Sequence, residues 1–322
     1  QEFGGIPTFG CSSAGELISG VMTIDSVVAM GFSKDAVGDV CVDVIERLND
    51  KDTDLTNSLK LFKEHFGTCI NNLPNDKYAG FLLMDGNSKK VERVLEALGD
   101  NTNIFFSGGS AGDALEFKHT FIHSNGKVYG DESAVIAIFE MNCRFSFMKL
   151  QSVRDMGKRV VATKVDVNER IIYELDYKPA AEVFSEMVGV SIDKINTEIE
   201  NYHFALMIDG QPFLRALRCC NDGKTLEMAC SVRQNMPLSL YKPENLVGDT
   251  KGKLAKMQEE HPNIIGMLIF NCAHRYLQAL HAGQVEEYGK LFTDITTVGF
   301  NTFGEYYIGL LNNTATFVIF EE

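Results

Sequence analysis

Three short loops of one composition constrain how this chain can fold. Each has a hydroxyl residue, one further residue, a glycine and an acid, and each follows a hydrophobic, strand-like run. A further glycine stands just upstream of each, at Gly10, Gly109 and Gly299. Glycine has no Cβ, so its backbone can approach other atoms closely and adopt positive φ. Brought together, three such loops would make a polar cradle for a small molecule, as in a sensor rather than a reaction centre. The loops are Ser13-Ala14-Gly15-Glu16, Ser110-Ala111-Gly112-Asp113 and Thr302-Phe303-Gly304-Glu305.

Length and charge narrow the class of protein. A chain of 322 residues fits two domains of ordinary size, and 45% hydrophobic with 23% charged residues is typical of a soluble globular protein. The net charge of −14 argues against a nucleic-acid-binding surface and against docking on anionic lipid. No stretch approaches the roughly 18 apolar residues of a membrane span. We therefore expect a cytoplasmic protein with no membrane insertion and a cationic, zwitterionic or neutral ligand.

The cysteines and histidines do not predict a metal centre. The eight cysteines form no CxxC pair, which argues against a zinc cage or a thioredoxin-type motif. Several lie in apolar runs, so we expect buried, reduced thiols. His119 and His123 are four residues apart but have no obvious third ligand.

Hydrophobic periodicity predicts a mixture of strands and helices without a regular βαβ repeat. Alternation between residues 40 and 44 predicts a half-buried strand, and helical spacing predicts a helix over 49–73. Further strands are predicted at 27–32 and at 103–107, the latter leading into a glycine loop at 108–110. Asn125-Gly126 predicts a hairpin. Frequent hairpins favour an α+β fold of two sub-domains, with mixed, largely antiparallel sheets flanked by helices.

A second polar cluster follows the apolar strand predicted at 264–270. Asn271, Cys272, His274 and Arg275 stand where this strand leads into a helix, a usual place for a site. Arg275 could bind a carboxylate through two hydrogen bonds. Cys272 could be a nucleophile of depressed pKa or a cysteine that only packs. Either Cys272 or His274 could instead ligate a non-covalent haem, because the chain has no CxxCH.

Taken together, these motifs resemble FIST sensory domains, and they occur in the family's order between residues 6 and 321. The segments that carry the resemblance are 8–16, Gly108-Gly109-Ser110-Ala111-Gly112-Asp113 with Phe117, Thr120 and Asn125-Gly126, Lys178-Pro179-Ala180, Phe270-Asn271-Cys272 with Arg275, 299–305 and 312–314.

The resemblance implies an intracellular signal-transduction module made of a FIST N-type half at 6–154 and a FIST C-type half at 155–322. Members occur beside chemoreceptor, kinase and cyclic-nucleotide output domains. Their proposed ligands are small molecules such as amino acids, and some members resemble haem-based nitric oxide sensors. The family is not known for enzymes.

We therefore predict a non-enzymatic sensor that binds a small ligand, such as an amino acid or related metabolite, where the glycine loops meet. No cofactor is expected; the alternatives are a haem-based gas sensor using His274 and a scaffold that recruits proteins. Arg275 would hold a carboxylate, while Glu16, Asp113 and Glu305 would anchor an ammonium or hydroxyls, not all three ionised in one dry pocket. The predicted ligand-binding residues are Cys11, Ser12, Ser13, Glu16, Ser110, Asp113, Asn271, Cys272, Arg275, Asn301, Thr302, Glu305 and Asn312.

Overall fold

The computed structural model describes residues 4–48 and 55–322. Within these ranges the chain forms two six-stranded sheets, one seven-stranded sheet and one three-stranded sheet, with helices on their faces. The pairings are antiparallel except for two parallel pairs in the six-stranded sheets. The predicted α+β fold of two sub-domains with mixed, largely antiparallel sheets is thereby confirmed.

The strands alternate with helices irregularly along the chain. In chain order the strands are β1 (Phe9–Cys11), β2 (Glu16–Ile18), β3 (Val21–Thr23), β4 (Val37–Ile45), β5 (Tyr78–Met84), β6 (Phe106–Ser110), β7 (Ile122–Ser124), β8 (Lys127–Tyr129), β9 (Ala134–Met141), β10 (Arg144–Leu150), β11 (Val153–Asp166), β12 (Ile171–Leu175), β13 (Lys178–Pro179), β14 (His203–Ile208), β15 (Gln211–Cys219), β16 (Leu226–Met228), β17 (Met236–Pro243), β18 (Ile264–Cys272), β19 (Thr297–Thr302), β20 (Glu305–Tyr307), β21 (Gly309–Leu311) and β22 (Ala315–Glu321). The α-helices are α1 (Thr56–Phe66), α2 (Val91–Gly99), α3 (Ala180–Val188), α4 (Ile195–Glu198), α5 (Leu246–Glu260), α6 (Ala273–His281) and α7 (Val285–Lys290).

The first sub-domain is a four-layer body of helices, two sheets and helices. Sheet 1 has the order β21-β20-β6-β5-β9-β4, and sheet 2 the order β10-β22-β18-β19-β2-β3. Their facing surfaces share one core, to which sheet 1 contributes Phe81 and Phe139 and sheet 2 contributes Phe270 and Val318. Because β5 is covered on both faces, it reads as a continuous apolar run rather than an alternating one.

Helices close the two outer faces of this body. On sheet 1, α1 and α2 bury apolar side chains that include Phe62 and Val94. On sheet 2, the cover is α5, α6 and α7, which bury Leu254 and Tyr276 among others. α1 ends at Gly67, whose φ of 71° is the left-handed conformation that glycine adopts without strain.

The second sub-domain is built on the seven-stranded sheet 3, of order β11-β17-β14-β15-β16-β12-β13. All its strands come from residues 153–243, and α3 and α4 pack on one face around Phe184 and Phe204. The opposite face carries a smaller core of Ala205, Leu214 and Tyr241.

The two predicted halves of the chain share both sheets of the four-layer body. β2 and β3 from the first half pair within sheet 2, and β20 and β21 from the last part of the chain pair within sheet 1. The acids of two glycine loops, Glu16 and Glu305, begin β2 and β20, so these loops lie where the chain enters a sheet of the other half. The boundary between 154 and 155 stays a prediction.

Local predictions succeeded where neighbouring residues decide the conformation. The Asn125-Gly126 hairpin is confirmed: β7 pairs with β8, and both turn residues have positive φ. The helix predicted over 49–73 is shorter in the structure: α1 covers Thr56–Phe66 and stops before Gly67, and residues 49–54 lie outside the described ranges. The strand predicted at 27–32 is wrong. This segment forms no strand, and Phe32 instead packs its ring against Phe139 and Phe320.

The prediction of a glycine loop at 108–110 is also wrong, because these residues form the end of the strand β6. Gly108 has a φ of 151° and lies so close to β5 that a Cβ would stand 1.9 Å from the Leu82 carbonyl oxygen. The glycines therefore permit close strand pairing here rather than a turn.

Candidate functional site

The three glycine loops lie against one another, joined through their backbones. Each pair of loops, or of segments next to them, shares at least one direct hydrogen bond. These bonds run from Gly112 N to Ser12 O (3.0 Å), from Ala14 N to Asn301 O (2.9 Å) and from Ser110 N to Gly304 O (2.8 Å).

Glycine is needed at these contacts because no space remains for a side chain. A Cβ on Gly15 would stand 2.8 Å from Asn301 Nδ2, and one on Gly112 would stand 2.7 Å from Ala14 N. The loops consequently touch backbone to backbone. Their polar side chains fall into three groups, each with its own hydrogen bonds.

The first group surrounds the buried Glu16 carboxylate. Ser13 Oγ donates to one carboxylate oxygen, and Ser26 donates to the other through Oγ at 2.7 Å and through its backbone N at 3.2 Å. Ser12 Oγ accepts a hydrogen bond from Phe121 N at 2.9 Å. Cys11 packs in the core between sheets 1 and 2, and burial raises the pKa of its thiol. The Glu16 carboxylate thus already has hydrogen-bond donors on both oxygens, from its own loop and from Ser26 after β3.

The second group is organised by Asp113. Its carboxylate accepts three backbone hydrogen bonds, from Phe117 N (2.8 Å), Lys118 N (2.5 Å) and His119 N (3.0 Å). This arrangement shapes the segment that follows the loop. Ser110 belongs to the same loop but hydrogen bonds elsewhere, since its Oγ lies 2.8 Å from the buried Tyr306 hydroxyl.

The third group, the strand-end cluster, lies where β18 and β19 end and consists of Asn271, Cys272, Asn301, Thr302, Glu305 and Asn312. β18 and β19 are parallel and in register, which sets Asn271 opposite Asn301 and Cys272 opposite Thr302. Asn271 Nδ2 donates to Asn301 Oδ1 at 2.8 Å. Polar residues at the carboxyl ends of neighbouring parallel strands occupy a common place for ligand binding.

Arg275 supports the strand-end cluster from the first turn of α6. Its side chain is fully buried and donates through Nε to Asn271 Oδ1 (3.2 Å) and through Nη2 to Thr250 Oγ1 (3.0 Å) and Tyr288 OH (3.3 Å). The Tyr288 hydroxyl in turn donates to Asn271 Oδ1 at 2.9 Å. The guanidinium is therefore held by neutral oxygens, and its charge acts on Glu305 from a distance.

Glu305 is the buried acid of the cluster. Burial raises the pKa of its carboxyl to about 8, although hydrogen bonds from Thr302, Cys272 and the Thr314 backbone, and the charge of Arg275, all act to lower it. Thr302 Oγ1 donates to Oε1 at 2.6 Å, and Thr314 N donates to Oε2 at 3.3 Å. At neutral pH the carboxyl is therefore mostly protonated.

Cys272 does not have the environment of a reactive thiol. Burial is the largest cause that raises the pKa of the thiol, and the neighbouring Glu305 carboxyl adds to it. Hydrogen bonds from the backbone N–H groups of His274 and Asn313 act in the opposite direction. His274 Nδ1 stands 3.8 Å from the sulfur. A nucleophilic cysteine needs the reverse, a depressed pKa and access to solvent.

We expect Cys272 to resist alkylation in the folded protein. Iodoacetamide should modify Cys272 at least about tenfold more slowly than the exposed Cys69, because the buried thiol is neither ionised nor accessible. Peptide mass spectrometry after timed quenching would compare the two residues in one sample. Equal rates would show that the thiol is activated and would reopen a catalytic role.

The sequence motifs did not identify His203, but the fold places this residue beside the strand-end cluster. His203 begins β14, is 1% exposed, and its ring centre lies 5.8 Å from that of His274. Burial lowers the pKa of its imidazole to about 3, and His274 adds to this effect. Neither ring nitrogen has a hydrogen-bond partner among residues 4–48 and 55–322. The one feature of the sequence that could have pointed to His203 is that a histidine stands at the start of an apolar strand.

Asn312 joins the strand-end cluster to the second sub-domain. Its backbone N donates to Leu214 O at 3.3 Å, and its Oδ1 accepts from Ala216 N at 3.1 Å. Both partners lie on β15, so Asn312 hydrogen bonds directly to sheet 3. Any movement between the sub-domains must disturb this contact.

This is an α+β protein of two sub-domains with a buried polar cluster near their junction, and comparison with protein families agrees with that class. The FIST N domain matches residues 1–178 and the FIST C domain matches residues 180–307. The chain therefore belongs to the FIST family, whose domains are signal-transduction sensor modules.

A curated relative matches only part of the chain. The "Uncharacterized protein MJ1623" of Methanocaldococcus jannaschii is 27% identical over 115 residues, which is 36% of this chain and 22% of that protein. The match thus spans about a fifth of the relative's length. Separately, no helix in the described part of the chain has the length and apolar character needed to cross a membrane.

Proposed function

We propose that this protein is a non-enzymatic, cytoplasmic sensor whose small ligand binds at the strand-end cluster, between Cys272, Glu305 and the His203–His274 pair. His203 is the observation that carries the proposal. Buried polar groups in folded proteins nearly always have hydrogen-bond partners. A buried imidazole with two unpartnered nitrogens, beside a polar cluster, supports a site where a ligand group completes the hydrogen bonds.

The charges of the cluster suit an amino acid or a related metabolite. With Glu305 mostly protonated, Arg275 leaves the cluster with positive charge, which favours a carboxylate nearby. The ammonium group of an amino acid would favour the ionised form of Glu305. A zwitterion would thus place its carboxylate near Arg275 and its ammonium group near Glu305. Glu16 and Asp113 contribute less to this proposal, because their carboxylates already accept hydrogen bonds from segments that follow their loops.

The place of the cluster suggests how binding becomes a signal. Asn312 ties the cluster to sheet 3, so a ligand there would bias the arrangement of the two sub-domains. An output domain of the chemoreceptor, kinase or cyclic-nucleotide type would respond to that change. The raised pKa of Cys272 supports the non-enzymatic part of the proposal.

The surroundings of His274 do not favour the haem alternative. Its Nδ1 faces the Cys272 sulfur at 3.8 Å, and its other neighbour is the His203 ring. A haem here would require these packed side chains to move apart.

A ligand screen with the His203→Phe variant tests the proposal. A ligand at a hundredfold over its Kd should raise the parent's Tm by roughly 5–10 °C, and phenylalanine, which has no ring nitrogens, should abolish most of that shift. Without ligand we expect the variant to be about 1 kcal/mol more stable, because an unpartnered polar group is gone. The measurement is a thermal-shift screen of amino acids and metabolites, with a visible spectrum of each sample.

The control variant is His123→Phe, which alters an exposed histidine on β7 and should keep the parent's response. An equal shift in His203→Phe and the parent would place the ligand elsewhere. No shift with any compound would contradict a small-ligand sensor. In that case an intense Soret band would favour the haem sensor, and a colourless sample would favour the protein-recruiting scaffold.

A further inference from the structure

A groove of about 410 Å³ lies at the seam between the two sub-domains, apart from the strand-end cluster. We call it the seam groove. One wall is α2 of the four-layer body, another is formed by β14, β15 and the start of β17, and β21 closes it. The side chains and backbone segments that matter here are those of Glu92, Glu96, Leu206, Arg215, Arg233 and Leu310.

Arg215 is the unusual residue of the seam groove. Its Nε is buried and donates to no acceptor in the described part of the chain. Its Nη1 donates to the Cys230 sulfur at 3.1 Å, a weak acceptor, and to the Leu310 carbonyl oxygen at the long distance of 3.4 Å. A guanidinium donates through five N–H groups, so Arg215 retains unused binding capacity next to open space.

Three acids line the seam groove: Glu92 and Glu96 are already paired with other arginines, and Asp100 is exposed to solvent. Glu92 binds Arg170 Nη2 at 2.6 Å and also accepts from Ser231 N at 2.6 Å. Glu96 pairs with Arg233. No carboxylate among residues 4–48 and 55–322 lies within ion-pair distance of Arg215, which makes its charge available to a ligand.

We propose that the seam groove binds a small monocarboxylate with an apolar body. The carboxylate would accept from the terminal nitrogens of the Arg215 guanidinium, in the fork geometry that guanidinium and carboxylate share. The apolar body would lie on Leu95, Leu206 and Met236, which also line the groove. Glu92 and Glu96 oppose a second negative charge, which favours a monoanion over a phosphate dianion.

This second site goes beyond the sensor function proposed above. The residues of the seam groove come from both sub-domains, so an occupied groove would hold α2 against sheet 3. A ligand that binds this arrangement better than an open one shifts the population toward it. The two sites can be tested separately, because they share no residue.

Calorimetric titration of the full chain tests the proposal with three probes. These are 4-methylpentanoate, the uncharged 4-methylpentanamide of the same shape, and inorganic phosphate. We expect the carboxylate to bind at least about tenfold more tightly than the amide, because charge-assisted hydrogen bonds to a partly buried guanidinium are lost in the amide. Phosphate should bind more weakly than the carboxylate.

Substitutions at Arg215 then locate the binding. Arg215→Met keeps the length of the side chain and should weaken carboxylate binding by about tenfold or more. Arg215→Lys keeps the positive charge but cannot donate two parallel hydrogen bonds to one carboxylate. Its affinity for the carboxylate should therefore lie between those of the parent and of Arg215→Met. The matched control is Arg218→Met, on the same strand but half exposed and paired with Glu227, and it should bind as the parent does.

Four results would overturn the proposal. Equal affinity for carboxylate and amide, tighter binding of phosphate, or parent-like binding by Arg215→Met would each overturn it. Should Arg215→Met not fold, the comparison of the three probes on the parent still decides the matter. Absence of carboxylate binding to the parent would overturn the inference without touching the strand-end cluster.

Discussion

Gly299→Ala is expected to be unfolded, or destabilised by about 4 kcal/mol or more. Gly299 lies in the middle of β19, opposite Ile269 of the parallel strand β18. A Cβ would stand 1.8 Å from the Ile269 carbonyl oxygen and 2.5 Å from its Cγ2. The oxygen belongs to a backbone held in the centre of sheet 2, so it cannot withdraw without separating the strands that carry Asn271 and Asn301.

Gly10→Ala is the matched control for this change. Gly10 precedes the first glycine loop as Gly299 precedes the third, and it also lies in a strand. No atom lies within 4 Å of a Cβ built at Gly10, so its replacement should change stability by less than about 1 kcal/mol. Urea unfolding followed by circular dichroism compares the two variants. Equal stability would show that β18 and β19 do not approach as closely as the structure has them.

The parent protein is expected to lose stability as the pH rises, and Glu305→Gln is expected to remove a large part of that loss. The carboxyl has an ordinary pKa of 4.5 in the unfolded chain and about 8 when folded. Below the unfolded pKa both states carry the proton, and the buried neutral acid costs nothing extra. As pH rises from about 4.5 through about 8, the unfolded state ionises first, so folding becomes less favourable. This one group should cost on the order of 3 kcal/mol between about pH 5 and pH 8.

The measurement is the free energy of unfolding of the parent minus that of Glu305→Gln across this range. Taking the difference removes contributions common to both proteins. His203 is one of these: its folded pKa of about 3 lies below the unfolded value of 6.5, so its contribution is lost as pH falls. An exposed control, Glu64→Gln, should show no such trend. A flat difference between Glu305→Gln and the parent would mean that the Glu305 carboxyl is ionised in the folded protein.

Local elements could be predicted because their causes lie close together in the chain. The alternation at 40–44 is a half-buried strand, and the Asn125-Gly126 turn has the positive φ angles that these residues tolerate. The segment at 27–32 shows the limit of such reasoning. Met30 and Phe32 pack, half-buried, against the core between sheets 1 and 2 without forming a strand, while Val27 is exposed.

The strand-end cluster was predictable in part. Cys272, Arg275 and Glu305 were identified from their motifs, and the parallel pairing of β18 with β19 explains why two distant motifs meet. His203 and Arg215 could not be identified in this way. The binding roles proposed for them rest on side-chain nitrogens that have no hydrogen-bond partner in the fold. Such a lack cannot be read from the residues that neighbour them in the chain.

Side-chain type and neighbours within a few positions are enough to predict the α+β class, the Asn125-Gly126 hairpin and the shared motif of the three glycine loops. What each of these similar loops does depends on the fold around it. Asp113 and Glu16 accept hydrogen bonds from nearby segments of the chain, whereas burial raises the pKa of the Glu305 carboxyl to about 8. Likewise Gly10 has free space while Gly299 touches a neighbouring strand. The physical reason is that burial and backbone approach are set by segments far apart in the chain.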